Sequence, residues 1–518
     1  MKKQLHLLLF LFCAFFLRAQ PGALDVTFSE DGFFLNNFEY VHTRAEQILV
    51  QSDGKIIVGT VTGLAGVEEY TVVTRYFPDG ALDSTFHGDG RIFMKQQNQQ
   101  MVLADMLLLP DDKILLGVNS IDILGIYRVL LFQYNADGTP DAGFGLDGMI
   151  GTQVNGIIQT RLSALTRQSD GKIVAGGNAM PTMGPLLPAV FRYFQDGTLD
   201  QTLAGSGIAT IDHAATVHAV AAQPDAKIIL AGQSYEGDVF IVRLNPEGIP
   251  DPAFAGQGIN IIPLSSAGDG ITGLHLLPDG KILAGGFAQT AASGTFDFMA
   301  MRLLPNGMPD PAFSGDGVAY LDVAGNKQDA PRCMLVQSDG KILLGGFAIA
   351  NSKQQMALAR FDTNGATDVS FGTGGKMIYE LFPGTGNVFC LAMQPDGKIL
   401  AGGNYAGNST EYLSVMRILA QDAVATHEQS VVNQDLQVFP NPATNNINFR
   451  YSLSQPVAFA VRLYDLNGKV IRTLRPMETR SAGQHVESFC LDAALPAGLY
   501  VVEIESAAEK KRIKLVKK

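Results

Sequence analysis

The chain is 518 residues long, with 38 Lys and Arg against 50 Asp and Glu, a net charge of −12 and no Trp. Residues 438–518 carry 12 Lys and Arg against 7 Asp and Glu, so the acidity belongs to the rest of the chain. A surface this acidic repels phosphate backbones, which need clustered cations to release counterions, and nucleic acid is excluded as a partner. Solubility is the main reading of the acidity, with binding of a cation or basic partner the lesser one.

The first residues read as an address. Met1-Lys-Lys, the apolar run Leu5–Leu17 and the small Ala19 before Gln20 form a secretory signal peptide over residues 1–19, too short to span a bilayer. Cys13 lacks the small residues that precede a lipidated cysteine. Asp105 and Arg128 interrupt the best later apolar runs, so no transmembrane segment is expected.

From Gln51 onward one turn recurs seven times, as QSDGKIIVG, LPDDKILLG, QSDGKIVAGG, QPDAKIILAG, LPDGKILAGG, QSDGKILLGG and QPDGKILAGG. The turn aspartates Asp53, Asp111, Asp170, Asp225, Asp279, Asp339 and Asp396 lie 58, 59, 55, 54, 60 and 57 residues apart. A period of this size belongs to a propeller or a solenoid, whose units cannot bury their apolar faces alone. Short apolar runs flank each Asp-Gly hairpin, and the sixth copy predicts strands at Cys333–Gln337, Lys341–Phe347, Met356–Phe361 and Gly375–Leu381. Four strands per period make a propeller blade. Leu24–Leu35 matches the fourth-strand region of later copies, whereas the last copy stops after a third strand at Tyr412–Leu419. The last blade is therefore expected to borrow Gly32–Leu35 and to close the fold, removing exposed sheet edges.

Each copy also carries a second signature, DGALDSTFHGDG, DGTPDAGFGLDG, DGTLDQTLAGSG, EGIPDPAFAGQG, NGMPDPAFSGDG or NGATDVSFGTGG, with Leu203 replacing Phe once. Over residues 23–419 this pattern resembles the delta-60 repeat family of β-propellers, a resemblance that implies architecture and no catalytic assignment. The absence of Trp argues against a WD40 propeller. The fold class expected is all-β: a seven-bladed β-propeller with four-stranded blades closed by the N-terminal strand, spanning 20–419, followed by a small β-sandwich C-terminal domain.

A polar linker at 420–437 leads to alternating strands over 438–518. Pro440-Asn441-Pro442, the turn at Gly468, Gly498 and Tyr500 in Ala-Gly-Leu-Tyr, and the basic end with Lys514 and Lys518 resemble the type A sorting domain of the type IX secretion system of Bacteroidetes. A β-sandwich binding module is the plainer reading. The resemblance implies the type IX machinery as a partner, export through the periplasm, and a secreted or outer-membrane surface location.

Chemical constellations are few. HExxH, GxSxG, P-loop and CxxC patterns are missing, and His213 and His218 have no third ligand in view. Asp83/Asp89, Asp141/Asp147, Asp310/Asp316 and Asp25/Asp31 could hold Ca²⁺, but Ser206, Gln257 and Gly374 replace the later acid elsewhere, so turn capping is the better reading. No metal and no cofactor are expected. Cys333 and Cys390 occupy one repeat site on neighbouring blades, where small Ala164, Ala219 and Gly273 stand in other copies; a buried small residue explains them better than a disulfide. Third-strand arginines and the repeated aspartates suggest one buried ion pair per blade, serving the blade itself.

In an antiparallel blade the near-identical Asp-Gly turns emerge on one rim and the divergent connections on the other. Binding is expected on the varied rim, with Tyr40, His42, Glu68, Glu69, Tyr70, Tyr235, Glu236, Tyr405, Glu411 and Tyr412 as candidate contacts for a glycan or a surface protein. A monomeric, non-catalytic binding propeller is the first expectation. The alternative is an extracellular lyase or hydrolase whose His and acidic residues converge at the central channel.

Overall fold

The computed structural model describes residues 20–421 and 437–518, apart from 30, 39, 65–67, 97, 153–155, 267, 291–294, 382–383, 408–409, 441–442, 445, 454–456, 465–469, 482, 493–494, 497 and 507–509. The signal peptide, most of the linker, and Asn441, Pro442 and Gly468 of the sorting motif lie outside the described residues. The chain divides into two compact units, Met1–Asp422 and Ala423–Lys518.

Among its described residues the first unit forms seven four-stranded antiparallel sheets. Blade 1 runs His42–Val50, Ile56–Leu64, Glu68–Tyr76 and Arg91–Met94, and blades 2 to 6 repeat that order. Blade 7 is built from Thr385–Met393, Ile399–Ala406 and Glu411–Ile418, with Phe33–Asn36 as its fourth strand in the register Phe33↔Met416 to Asn36↔Leu413. The borrowed strand is thus present, but the expected closure is corrected. Among the described residues no sheet closes into a barrel, and the N-terminal strand is only the outer edge of the seventh open sheet. The edges remain because neighbouring blades meet through side chains, not through strand hydrogen bonds. Second strands are accordingly apolar on both faces: Ile56 to Gly63 are all buried. Ile48 and Val58 of blade 1 share a buried cluster with Cys390, Leu400 and Leu413 of blade 7, as Ile57 and Val73 do with Leu103 and Leu116 of blade 2.

The repeated signature has a physical explanation. The third-strand arginine donates through Nε to the motif aspartate at 2.7–2.9 Å in Arg75–Asp83, Arg192–Asp200, Arg243–Asp251, Arg302–Asp310, Arg360–Asp368 and Arg417–Asp25. Gln133 takes the arginine's place beside Asp141 at 2.6 Å. The lysine after each Asp-Gly turn reaches the same carboxylate, as Lys281 Nζ does to Asp310 at 3.1 Å. In five blades the motif phenylalanine lies under the guanidinium, 4.5–4.9 Å from ring centroid to Cζ, as Phe313 does under Arg302 at 4.9 Å. Arg302 Nη1 then donates to the Thr363 carbonyl of the next blade at 2.8 Å, and Arg417 Nη1 donates to the Pro78 carbonyl of blade 1 at 2.6 Å. One residue therefore organises its own blade and fastens it to the next.

The same phenylalanines demand glycine next door. A Cβ on Gly307 would meet the Phe254 ring at 2.6 Å, and its φ of +87° lies in the left-handed region. The turn position after the repeated aspartate also has positive φ, yet Ala226 (φ 64°) and Asp112 (φ 57°) occupy it in two blades.

In the C-terminal unit, the strands Gln437–Phe439, Asn446–Leu453 and Gly483–Cys490 form one sheet. Val470–Arg480, Val457–Tyr464, Gly498–Ser506 and Lys510–Lys517 form another. Phe449, Tyr451, Phe459, Val461, Tyr500 and Leu515 share one buried core. Of the sorting residues, Gly498 begins a strand and Lys514 lies in its partner, Tyr500 donates to the Pro496 carbonyl at 2.8 Å, and Lys518 N donates to the Ala443 carbonyl at 2.8 Å. Among the described residues, no helix is long and apolar enough to cross a membrane.

Candidate functional site

Of the acids first weighed as cation ligands, Asp89 and Asp316 cap turns: Asp89 Oδ1 accepts from Arg91 N at 3.0 Å and Asp316 Oδ1 from Val318 N at 3.0 Å. Asp83 and Asp310 are committed to the arginine pairs. Burial pushes the Asp200 carboxyl up, but bonds from Thr202 and Lys172 and the Arg192 charge outweigh it and hold it down at about 2. Cys333 and Cys390 are free thiols. Burial pushes both up, which makes them inert.

On the varied rim, the structure gathers most of the predicted contacts around blades 7 and 1. Tyr40 lies 6.0 Å from Tyr70 and 6.3 Å from Phe93, ring centre to ring centre, and Tyr70 lies 5.8 Å from Phe93. Glu68 accepts from the Tyr70 hydroxyl, and Lys95 Nζ sits 4.6 Å above the Tyr70 ring. Glu68, Tyr70 and Lys95 line a cleft of about 500 Å³ that continues over Gln96, Asn98 and Gln100. Beside it, His42 Nδ1 lies 2.9 Å from Glu411 Oε2, and Asn404 donates to the other oxygen of Glu411. Arg44 Nη1 reaches Glu69 at 3.5 Å. Tyr412 is half-buried in the blade 7 core, and Tyr405 is 6% exposed in the same cluster. Tyr235 and Glu236 are exposed in the connection between the second and third strands of blade 4, away from this group.

Sequence reasoning missed a second constellation. Every inner strand carries a bulge at one repeat position, seven residues before the turn aspartate: Glu46, Ala104, Ser163, His218, Thr272, Arg332 and Phe389. Bulges re-aim side chains, and all seven residues line one cavity of about 430 Å³ to which every blade contributes. The detectable signal is chemical variety at one site of an otherwise monotonous repeat. Arg44 Nε donates to Glu46 Oε1 at 2.5 Å, yet burial raises the Glu46 carboxyl. Burial also raises Asp105, although it accepts from Gln47 Nε2 at 2.7 Å, Leu165 N at 2.7 Å and Met106 N at 2.8 Å. His218 has its Nδ1 3.1 Å from the Ile271 carbonyl. Its ring is open to solvent in the cavity, but the surrounding protein strips enough hydration to lower its pKa, and the Arg332 charge adds to this. His213 stacks on Phe240 at 5.4 Å instead.

Residues 51–86, 109–144, 168–203, 223–254, 277–313, 337–371 and 394–422 match a β-propeller domain of unknown function (DUF5122). Residues 437–518 match the secretion system C-terminal sorting domain. The chain thus joins an N-terminal β-propeller domain to a C-terminal export module, which supports secretion or delivery to the cell surface. No curated protein matches. Among solved structures, Trypanosoma rangeli sialidase in complex with sialic acid is similar at 10% identity and TM-score 0.39, covering 92% of this chain and 83% of that one. A Hadza microbial sialidase is similar at 9% and 0.36, covering 73% and 65%, and Pyrococcus horikoshii acylaminoacyl peptidase at 8% and 0.35, covering 79% and 58%. At these TM-scores the likenesses carry no argument about activity or substrate.

Proposed function

We propose that this exported propeller binds a hydroxyl-rich ligand, a glycan or the polar surface of another protein, in the cleft where blades 1 and 2 meet on the varied rim. One observation carries the reading: Tyr70, with Lys95 over its ring, lines a cleft continued by the amides of Gln96 and Gln100, and the Tyr40 and Phe93 rings pack beside Tyr70. Aromatic faces supply contact area at low entropic cost, while amides and an ammonium pair with hydroxyls or carboxylates. Tyr70 is buried, so it props the cluster, and Tyr40 and Lys95 are the accessible contacts. A glycan and surface-extract array with the full chain identifies the ligand. Tyr40→Ala and Lys95→Ala then weaken it while the thermal midpoint holds. Undiminished binding in both variants overturns the reading.

A second reading rests on the inner cavity, where Glu46, His218 and Arg332 arrive from three blades. A carboxyl raised by burial and a neutral imidazole are the groups general acid–base chemistry uses near neutral pH. This reading makes the protein a hydrolase or lyase acting on a substrate threaded into the cavity. Polysaccharide turnover abolished by Glu46→Gln and by His218→Ala, with Tyr40→Ala retaining it, supports catalysis over binding alone.

A further inference from the structure

We infer that the junction of blades 5 and 6 holds a divalent cation, Ca²⁺ by preference, on the carboxylates of Asp297, Asp322 and Asp329. The three come from different segments. Asp297 is the second residue of the strand Phe296–Leu303, Asp322 follows the strand Val318–Leu321, and Asp329 opens the inner strand Asp329–Val336 of blade 6. One oxygen from each lies within 4.8 Å of the others.

Proximity of acids alone means little; what sets this group apart is what its oxygens lack. Asp297 is 4% exposed and Asp329 0%, and Oδ1 of each is buried with no hydrogen-bond partner among the described residues. Their orientation is held from behind. Asp329 Oδ2 accepts from Val323 N at 2.9 Å and Ala324 N at 2.8 Å, while Asp322 accepts from Gly325 N at 2.6 Å and Asn326 N at 2.7 Å. Among the described residues no Lys or Arg forms an ion pair with any of the three, and Lys376 gives its ammonium to the Asp322 main-chain carbonyl at 2.7 Å. Buried charge without a partner costs several kcal/mol, so a group like this needs a positive centre.

The preceding blade supplies an internal control. Asp269 stands ten residues before Asp279, as Asp329 stands before Asp339. Asp269 Oδ2 likewise accepts two main-chain N–H groups, from Leu264 at 2.8 Å and Ser265 at 2.7 Å. There, however, Oδ1 is satisfied by the Ser265 hydroxyl at 2.6 Å. Ala324, the second N–H donor as Ser265 is, has no hydroxyl to give, and Oδ1 of Asp329 has no hydrogen-bond partner among the described residues. Burial, followed by mutual repulsion, lifts Asp329 to about 7 and Asp297 to about 6, a direction that a cation between them would reverse.

An all-oxygen donor set selects hard cations over zinc or copper. Ca²⁺ accepts irregular sets of six to eight oxygens completed by carbonyls and water, whereas Mg²⁺ demands a near-regular octahedron. The site would tie the fourth strand of blade 5 to the first strand of blade 6, where the connection 322–328 crosses the varied rim.

Calorimetric titration of chelator-treated full-length protein with CaCl₂ tests the inference, beside MgCl₂ and MnCl₂ titrations and thermal melts. One saturable Ca²⁺ site and a higher thermal midpoint are expected. Asp297→Asn and Asp322→Asn should each weaken binding at least about tenfold, and Asp316→Asn, at a turn cap, should leave it unchanged. The inference is overturned if the unsubstituted chain shows neither heat nor a midpoint shift with any of the three cations, as a proton-sharing carboxyl group would behave. Binding that survives both Asn substitutions also overturns it, and tighter Mg²⁺ than Ca²⁺ overturns the choice of ion. Because the unsubstituted chain alone can refute it, a variant that fails to fold does not shelter it.

Discussion

Arg417 donates through Nε to Asp25 Oδ2 at 2.8 Å, joining residues 392 apart in the chain. The same guanidinium lies 4.8 Å from the Phe28 centroid and passes a second bond to the Pro78 carbonyl of blade 1. Six blades carry the acid of this arrangement on the turn after the third strand; the seventh takes it from the N-terminal segment. The segment that supplies the last strand therefore also supplies the carboxylate and the aromatic ring that hold it.

Asp25→Ala should cost about 3 kcal/mol, because it leaves the buried guanidinium of Arg417 without its counter-charge. Asp396→Ala, an exposed turn aspartate facing the same Lys398, should cost less than about 1 kcal/mol. Urea unfolding midpoints compare the two. Equal losses would mean that the Arg417 pair has no special place.

Ala226→Gly should stabilise the protein by about 0.5–1 kcal/mol, since Ala226 sits at φ 64° where five of the other blades have glycine. Asp112→Gly should gain nothing comparable: Asp112 Oδ1 accepts from Ser52 N at 2.9 Å, a bond to blade 1 that glycine removes. Thermal midpoints of the two single variants decide this.

Stability should fall in acid through the motif aspartates. Asp200 and Asp368 are held at about 2 in the fold against 3.8 ordinarily. A depressed carboxyl contributes stability above its unfolded pKa and loses it as the pH falls through the folded one. The loss should therefore run from about pH 4 down to about pH 2. Asp200→Asn should lower stability at pH 7 and flatten that part of the profile. An unchanged slope in denaturation midpoints against pH would contradict the assignment.

Removing residues 437–518 should leave the propeller folded but stop its release or surface display in a host with a type IX system. Fusing residues 420–518 to an unrelated exported passenger should carry the passenger outward. Fractionated cells and medium provide the readout, and normal levels of the truncated protein outside the cell would refute the role of the segment.

Much of the architecture was legible because a repeat states each constraint seven times. The Asp-Gly turns, the arginine–aspartate pairs of six blades and the Phe beneath five of those guanidinium groups recur at fixed spacing, and local hydrogen bonding and packing suffice to account for them. Strand pairing of Phe33–Asn36 with blade 7 followed from the same count. The sequence misled on closure, since pairing and packing leave the same apolar pattern and only the tertiary structure shows that blades meet by side chains in open sheets. It was silent on the residues that matter once. Glu46, His218 and Arg332 share a cavity because bulges on three distant strands turn inward. Asp297 and Asp329 lie 32 positions apart in the chain and meet only because blade 6 packs on blade 5. Periodicity reports what every blade must do to fold. Which unlike side chains face one another is set by how the blades are arranged in space, and that the tertiary structure alone decided.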